Sequence, residues 1–449
     1  MNKLFGTDGI RAEAGHFPLD DDSIYTLGKA LIKLLQEEDF FPRVLVGKDP
    51  RNSSPKIERV MCRGIKDGGG DFISVGIIPT SAVSLLTKKH SFSAGIMISA
   101  SHNPYQDNGI KIFSSQGTKI SEAWEKILED HIRKSREKVK GKKLNIIPDF
   151  HLSQEYAQFL KNRFRGTSFY PFKIVVDCSN GVSSFFAPEI FSDLGFYVIP
   201  IHCSPNGKNI NAGCGSLYPQ NLAQKVMDEK ADLGIAYDGD ADRALWVEEN
   251  GRILNGDYTL YTLSHYMKEK KLLKSEYVVG TIMTNLGLEK ALKKIGLKLS
   301  RTQVGDKYVR EQMIRLGANL GGEQSGHTIL SDECPTGDGL LTSIKMLEVM
   351  VSKESSLSTL VSDFKEHPQY STNVRVKKRE NFNLYPKIIS TLNQINDSLG
   401  HSGRIIVRYS GTEPVARIMV EGTNQRQIKD QAESMAYVIA EHLGSKSSK

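Results

Sequence analysis

The chain has 449 residues, 39% hydrophobic and 25% charged, which excludes a disordered chain and calls for roughly two to four domains rather than one core. Its 59 basic and 52 acidic residues leave a net charge of +7, mild for this length: it favours a small anionic substrate and gives no argument for nucleic acid. Five scattered cysteines (Cys62, Cys178, Cys203, Cys214, Cys334) contain no CxxC pair, so neither a disulfide framework nor a zinc site is expected, and a reducing, cytoplasmic setting fits. The first residues, MNKLFGTDGIRAE, lack the apolar stretch of a signal peptide, and no apolar run approaches a membrane span.

In chain order, SIYTLGKALIKLLQEE has helical periodicity, RVLVGKD reads as a buried strand, SPKIERVMCRGIKDGG as a helix ended by glycines, and DFISVGIIPT as a strand. Two apolar segments, GIMI and GIKIF, then flank the polar SASHNPYQDN. SEAWEKILEDHI predicts a helix, and the basic run Arg133 to Lys143 reads as its solvated end and a linker. The strand–helix order recurs twice: from FKIVVDCSNG to the strand–loop–strand DLGIAYDGDADRALWVEENG, and from EYVVGTIMTN to the glycine-rich GGEQSGH. Alternation of this kind implies α/β units with parallel pairing. From about Tyr370, strands near STNVRVKKRE and RIIVRYSGTEPVARIMVEG and a final helix predict a smaller α+β domain. The expected division is 1–150, 151–254, 255–368 and 369–449. The fold class is three similar α/β domains with mixed sheets plus the C-terminal one.

Three stretches carry chemistry on their face. In YDGDADR, Asp238, Asp240 and Asp242 alternate with small residues; carboxylates this close repel unless a cation sits among them, and hard oxygen donors favour Mg²⁺ or Ca²⁺. An EF-hand is excluded, because Arg243 occupies the position that needs glycine and the flanks read as strands. Arg243 suits a phosphoryl group. In RYSGTEPVAR, glycine and hydroxyls bracketed by Arg408 and Arg417 look like a phosphate cradle or, equally, a polar hairpin. In GGEQSGH, an extended segment aims Glu323, Ser325 and His327 one way; by itself it reads as a glycine-rich turn. Ser101 lacks the GxSxG elbow of a hydrolase, and His102 on an extended segment points away from it. Lys111 and Arg11 are further polar candidates, unless they are an edge-strand lysine and a surface ion pair.

Together and in this order, SASHNP, DGDADR, GEQSGH and RYSGTEP resemble the phosphoserine, metal, sugar and phosphate loops of the α-D-phosphohexomutase superfamily. FGTDGIR, Gln324, CGSLYP and TGDGL are most similar to its members that act on glucosamine phosphate, while Lys307, Tyr409 and Asn206 depart from the usual pattern. The resemblance implies four domains around a cleft and a possible homodimer. It implies a Ser101 that is phosphorylated and completes a Mg²⁺ shell with Asp238, Asp240 and Asp242. Glu323 and Ser325 are then expected to hold sugar hydroxyls, and Arg408, Ser410, Gly411, Thr412 and Arg417 a phosphate, with Arg11, His102, Lys111 and Arg243 around the transferring group.

The expected reaction interconverts glucosamine 6-phosphate and glucosamine 1-phosphate through a sugar 1,6-bisphosphate, feeding amino-sugar nucleotide synthesis for the cell envelope. Lys111 is the expected acid/base, on the view that crowding cations ease its deprotonation, ahead of His102 and His327. The expected partner is a phosphorylated hexosamine, with neither nucleic acid nor membrane. The alternatives are a mutase for glucose or mannose phosphates and a non-catalytic phosphosugar-binding protein.

Overall fold

A computed structural model of the protein describes residues 3–38, 41–134, 136–139, 144–165, 172–410 and 414–444. Parts of the basic run and of the tail therefore lie outside the described residues. Two compact units are present: Met1–Met283 with Ile295–Asp363, and Thr284–Lys294 with Phe364–Lys449.

The first unit holds three sheets. The first comprises β1 (Phe5–Gly6), β2 (Gly9–Glu13), β3 (Arg43–Lys48), β4 (Asp71–Ile77), β5 (Ala94–Ile98) and β6 (Asp107–Ser114), in the order β1-β2-β6-β5-β3-β4. β3 pairs in parallel with β4 and β5, and β6 is antiparallel to both β2 and β5. The sequence AGIMI of β5 is buried throughout, as a strand covered on both faces requires. The helices Asp21–Glu37 and Ser54–Asp67 cover the sheet with Leu31, Leu35, Met61 and Ile65; Asp20 caps the former by accepting from the Ser23 N–H at 3.1 Å.

The second sheet comprises β7 (Lys173–Asp177), β8 (Tyr197–Ile201), β9 (Leu233–Tyr237), β10 (Ala244–Glu248) and β11 (Ile253–Leu254), in the order β11-β10-β9-β7-β8. The third comprises β12 (Tyr277–Thr281), β13 (Lys298–Thr302), β14 (Leu320–Gly322) and β15 (Thr328–Leu330), in the order β13-β12-β14-β15. Both repeat one scheme: parallel pairs joined through helices, then an antiparallel hairpin. The sheets are therefore mixed.

In the second unit, β16 (Gln369–Arg375), β17 (Arg404–Tyr409) and β18 (Val415–Glu421) form an antiparallel sheet ordered β16-β18-β17. The helices Pro386–Leu399 and Gln425–Leu443 pack Ile388, Ile395, Ile428 and Met435 against Val374 and Ile418.

In three of the sheets the chemistry-bearing stretch connects two antiparallel strands: SASHNP lies between β5 and β6, DGDADR between β9 and β10, and EQSGH between β14 and β15. In the fourth, SGTEP follows β17 and precedes β18 in sequence, and its residues 411–413 lie outside the described residues. Among the described residues, no helix is long and apolar enough to cross a membrane.

Candidate active site

Ser101 is fully buried, and its backbone is left-handed, with φ of 51°. That conformation is uncommon for serine and persists only where neighbours hold it. Here the Ser101 carbonyl accepts from Arg51 Nη2 and Asn211 Nδ2, each at 2.9 Å, and its N–H donates to Ser99 Oγ at 2.9 Å. Because the segment is not extended, the adjacent side chain does not point away, contrary to expectation: His102 Nδ1 lies 3.2 Å from Ser101 Oγ. Burial first, then Arg243 and Arg11, push the His102 pKa down to about 3, so its ring is neutral near pH 7.

Ser101 Oγ donates to Asp238 Oδ2 at 2.5 Å, which joins the first loop to the second. Asp238, Asp240 and Asp242 are 1%, 0% and 4% exposed, and one oxygen of each lies within 4.8 Å of the others. Burial, reinforced by Asp242 and Asp240, holds the Asp238 carboxyl well above its ordinary range. Gly239 makes the approach possible, since a Cβ there would sit 2.6 Å from the Ser101 carbonyl oxygen. Strands flank the loop on both sides, as the exclusion of an EF-hand requires. The carboxylates fit a hard dication: their donors are all oxygens, and the buried Oδ1 atoms of Asp240 and Asp242 have no hydrogen-bond partner.

Lys111 lies on β6, between β2 and β5, so it is not an edge-strand lysine. Its Nζ is 2.7 Å from Asp240 Oδ2, 3.1 Å from Asp242 Oδ2 and 2.9 Å from Asp8 Oδ2. The expected crowd of cations is instead a crowd of carboxylates. Burial opposes the ammonium charge, but Asp240, Asp242 and Asp8 outweigh it and hold the pKa well above the ordinary lysine value. The expected rationale for Lys111 as a base is thereby reversed. Arg11 pairs with Asp8 and donates to Asn103 Oδ1 at 3.3 Å, and so faces the serine loop rather than forming a surface pair. The Arg243 guanidinium is mostly buried, with Nε 3.9 Å from Asp242 Oδ1.

The EQSGH segment is a tight turn rather than an extended one: the Glu323 N–H donates to the His327 carbonyl at 2.8 Å. Glu323 Oε1 accepts from the Gly305 N–H at 2.7 Å, and Ser325 Oγ donates to Glu323 Oε2 at 3.3 Å. The His327 ring lies with Nδ1 3.8 Å from Asp242 Oδ1 and Nε2 3.8 Å from Asp306 Oδ2. Burial lowers its pKa, but Asp242, Asp306 and Glu323 prevail and raise it to about 9. Gly337 is essential to this packing, because a Cβ there would fall 2.3 Å from His327 Nε2.

In the second unit, Arg408 and Arg417 stand directly opposite on β17 and β18. Like charges in that register repel, so the pair is suited to an anion. Burial, then Arg417, lowers the Arg408 pKa. Ser410 is buried and accepts from Arg417 Nη2 at 3.4 Å. Gly411 and Thr412 lie outside the described residues.

Asn211, Arg51, Asp8, Lys119 and Asp306 join this network without having been anticipated from the sequence. Arg51 ties Asp49, Ser101 and Asn103 together. Asp8 is paired with Arg11, Lys111 and Lys119, and Lys119 also meets Asp306 at 2.5 Å. Asp8 stands within FGTDGIR and Asp306 beside Lys307, whereas Arg51 and Lys119 carry no local signal.

Four family models match the chain: phosphoglucomutase/phosphomannomutase alpha/beta/alpha domain I over residues 2–139, domain II over 154–251, domain III over 255–367, and the C-terminal domain over 372–438. Phosphoglucosamine mutase of Koribacter versatilis is 42% identical across 99% of this chain and 98% of that protein. The phosphoglucosamine mutase of Caldicellulosiruptor saccharolyticus is also 42% identical, across 99% of this chain and all of its own length. A phosphoglucomutase/phosphomannomutase family protein from Burkholderia thailandensis shares the fold, with a TM-score of 0.80 at 22% identity over 98% of each chain. Aspergillus fumigatus N-acetylphosphoglucosamine mutase, solved with GlcNAc-6P and magnesium, superposes with a TM-score of 0.67 at 18% identity, covering 98% of this chain and 96% of that one. With relatives this similar along its whole length and family models over nearly all of it, the chain belongs to the phosphoglucomutase/phosphomannomutase family.

Proposed function

We propose that the protein interconverts glucosamine 6-phosphate and glucosamine 1-phosphate, with Ser101 as the phosphoryl carrier. The observation that carries this reading is the 2.5 Å contact between Ser101 Oγ and Asp238, the first of three buried carboxylates. The high identity to proteins named phosphoglucosamine mutase supports the choice of sugar.

In the forward direction, the bond between phosphorus and Ser101 Oγ breaks as a bond to the sugar 1-oxygen forms, and the proton of the 1-hydroxyl passes to the released serine oxygen. The 6-phosphoryl of the bisphosphate then returns to Ser101 Oγ as its bond to the 6-oxygen breaks, and the serine proton passes to the 6-oxygen. Asp238, Asp240, Asp242 and a phosphoryl oxygen on Ser101 would hold Mg²⁺, which would supply charge neutralisation there. Arg11 and Arg243 add positive charge beside the transferring group, which suits a reaction governed by positioning and electrostatics. Neutral His102, 3.2 Å from Ser101 Oγ, exchanges the proton at the serine oxygen. The carboxylates around Lys111 and His327 favour their charged forms, so both act as positive neighbours of the site. Glu323 and Ser325 contact sugar hydroxyls, and Arg408, Ser410, Gly411, Thr412 and Arg417 bind a phosphate.

Intact-mass measurement after incubation with a hexose 1,6-bisphosphate tests the carrier. The wild type is expected to gain one phosphoryl group, and Ser101→Ala to lose both that gain and turnover. Retention of either in Ser101→Ala would sink the mechanism. Coupled assays on glucosamine, glucose and mannose 6-phosphates test the sugar; equal rates on all three would refute the assignment.

A further inference from the structure

Behind the serine loop, at the carboxyl ends of β7 and β8, lies a second cluster of metal-competent side chains. Asp177 ends β7, His202 follows β8 directly, and Cys214 precedes the 3₁₀ turn Gly215–Leu217. The two strands are parallel neighbours with Asp177 opposite Ile201, which brings the loops that follow them together. One donor atom from each of the three residues lies within 4.8 Å of the other two.

Asp177 and Cys214 are 0% and 1% exposed, while the His202 ring is partly open and gives a route in from solvent. His202 Nδ1 is buried 3.1 Å from Asp177 Oδ2, yet it is not aligned as a hydrogen bond. The Asp177 carboxylate is fixed from behind: Oδ1 accepts from the Ser179 N–H and Oδ2 from the Gly215 N–H, both at 2.9 Å. Each oxygen retains a second lone pair for a cation.

We propose that Asp177, His202 and Cys214 form a cation site distinct from the aspartate triad, one that takes a borderline transition metal of the zinc class. An imidazole, a thiolate and a carboxylate are that ion's customary donors, and three protein ligands leave a fourth position for water. The all-oxygen triad prefers a harder ion, so the two sites select different metals. Binding displaces the Cys214 proton to solvent. Asn211 lies three residues before Cys214 and donates to the carbonyls of Ser101 and Asn103 at 2.9 and 3.0 Å, so a cation here braces the segment that holds the phosphoryl carrier. The cysteine spacing, without CxxC, argued against any zinc site; the cluster forms only because strand pairing gathers residues distant in sequence.

The test is cobalt(II) titration of the full-length, chelator-stripped protein in excess Mg²⁺. The wild type is expected to show a near-ultraviolet thiolate-to-cobalt band saturating at one equivalent. Cys214→Ser should abolish it, and His202→Gln should weaken cobalt binding at least about tenfold. Cys203→Ser and Asp238→Asn should both keep it. Absence of the band in the wild type, or its survival in Cys214→Ser, overturns the proposal. Should Cys214→Ser not fold, His202→Gln decides, and unchanged affinity there is equally fatal.

Discussion

Arg51 shows how one buried side chain sets a reactive one. Its Nε meets Asp49 Oδ2 at 2.8 Å, and its Nη atoms donate to the carbonyls of Ser101, Asn103, Pro104 and Asp107. A planar fork with five donors can bind these acceptors at once, whereas a lysine ammonium cannot. Both partners of the Arg51–Asp49 pair have fully buried side chains, so loss of the guanidinium leaves the Asp49 carboxylate hydrogen-bonded by Ser54 and Ser99 but without its counter-charge, and takes a donor from four loop carbonyls. Arg51→Lys is expected to destabilise the protein by about 3 kcal/mol or more in urea unfolding and to slow turnover, because the Ser101 backbone loses a support of its left-handed conformation. Unchanged stability in that variant would show that water or repacking replaces the fork.

At the scale of elements, the hairpin loops work by close approach. Gly239 lets the β9–β10 loop touch the Ser101 carbonyl, which Arg51 and Asn211 already hold in place. Gly239→Ala must therefore push the carboxylates away from the serine, and a displacement of about 1 Å at a reacting group costs roughly a hundredfold in rate. We expect that loss in kcat with an unchanged far-ultraviolet circular dichroism spectrum; a normal kcat would mean that the loop yields elsewhere. The helix Gly339–Lys353 carries a pH-sensitive cap. Asp338 accepts from the Leu341 N–H at 3.0 Å and from Tyr156 Oη at 2.8 Å, but burial dominates and raises its pKa from 3.8 to about 6. The folded protein then binds this proton more tightly than the unfolded chain. The stabilising contribution is full below pH 3.8 and is lost as pH rises through about 6. Relative to Asp338→Asn, wild-type stability is expected to decline over that window and to level off above it, as followed by thermal melts at stepped pH.

Across the whole molecule, three sheets present their motifs on antiparallel hairpins and the fourth pairs the strands that flank its motif, and this is why so much was legible in the sequence. Apolar runs such as AGIMI and LGIAY announce strands, and the polar stretch between two of them must be a turn. What stayed hidden depends on three-dimensional neighbours. The left-handed φ of Ser101, the carboxylates around Lys111 and the reach of Arg51 across four loop carbonyls have no local pattern. Cooperativity is a further property of this kind. The second unit has its own core, in which Ile418 of β18 packs with Ile388, Ile428 and Met435. Ile418 is 1% exposed, so Ile418→Ala should cost that unit about 2–5 kcal/mol. Separate cores open as separate cooperative units in native-state hydrogen exchange. The amides of β16, β17 and β18 are therefore expected to lose protection together in Ile418→Ala, while those of β5 and β9, fully buried in the first unit, keep theirs. If β5 and β9 lost protection in step with β18, the two units would share one unfolding transition, and a cavity in the smaller would be felt as a loss of global stability.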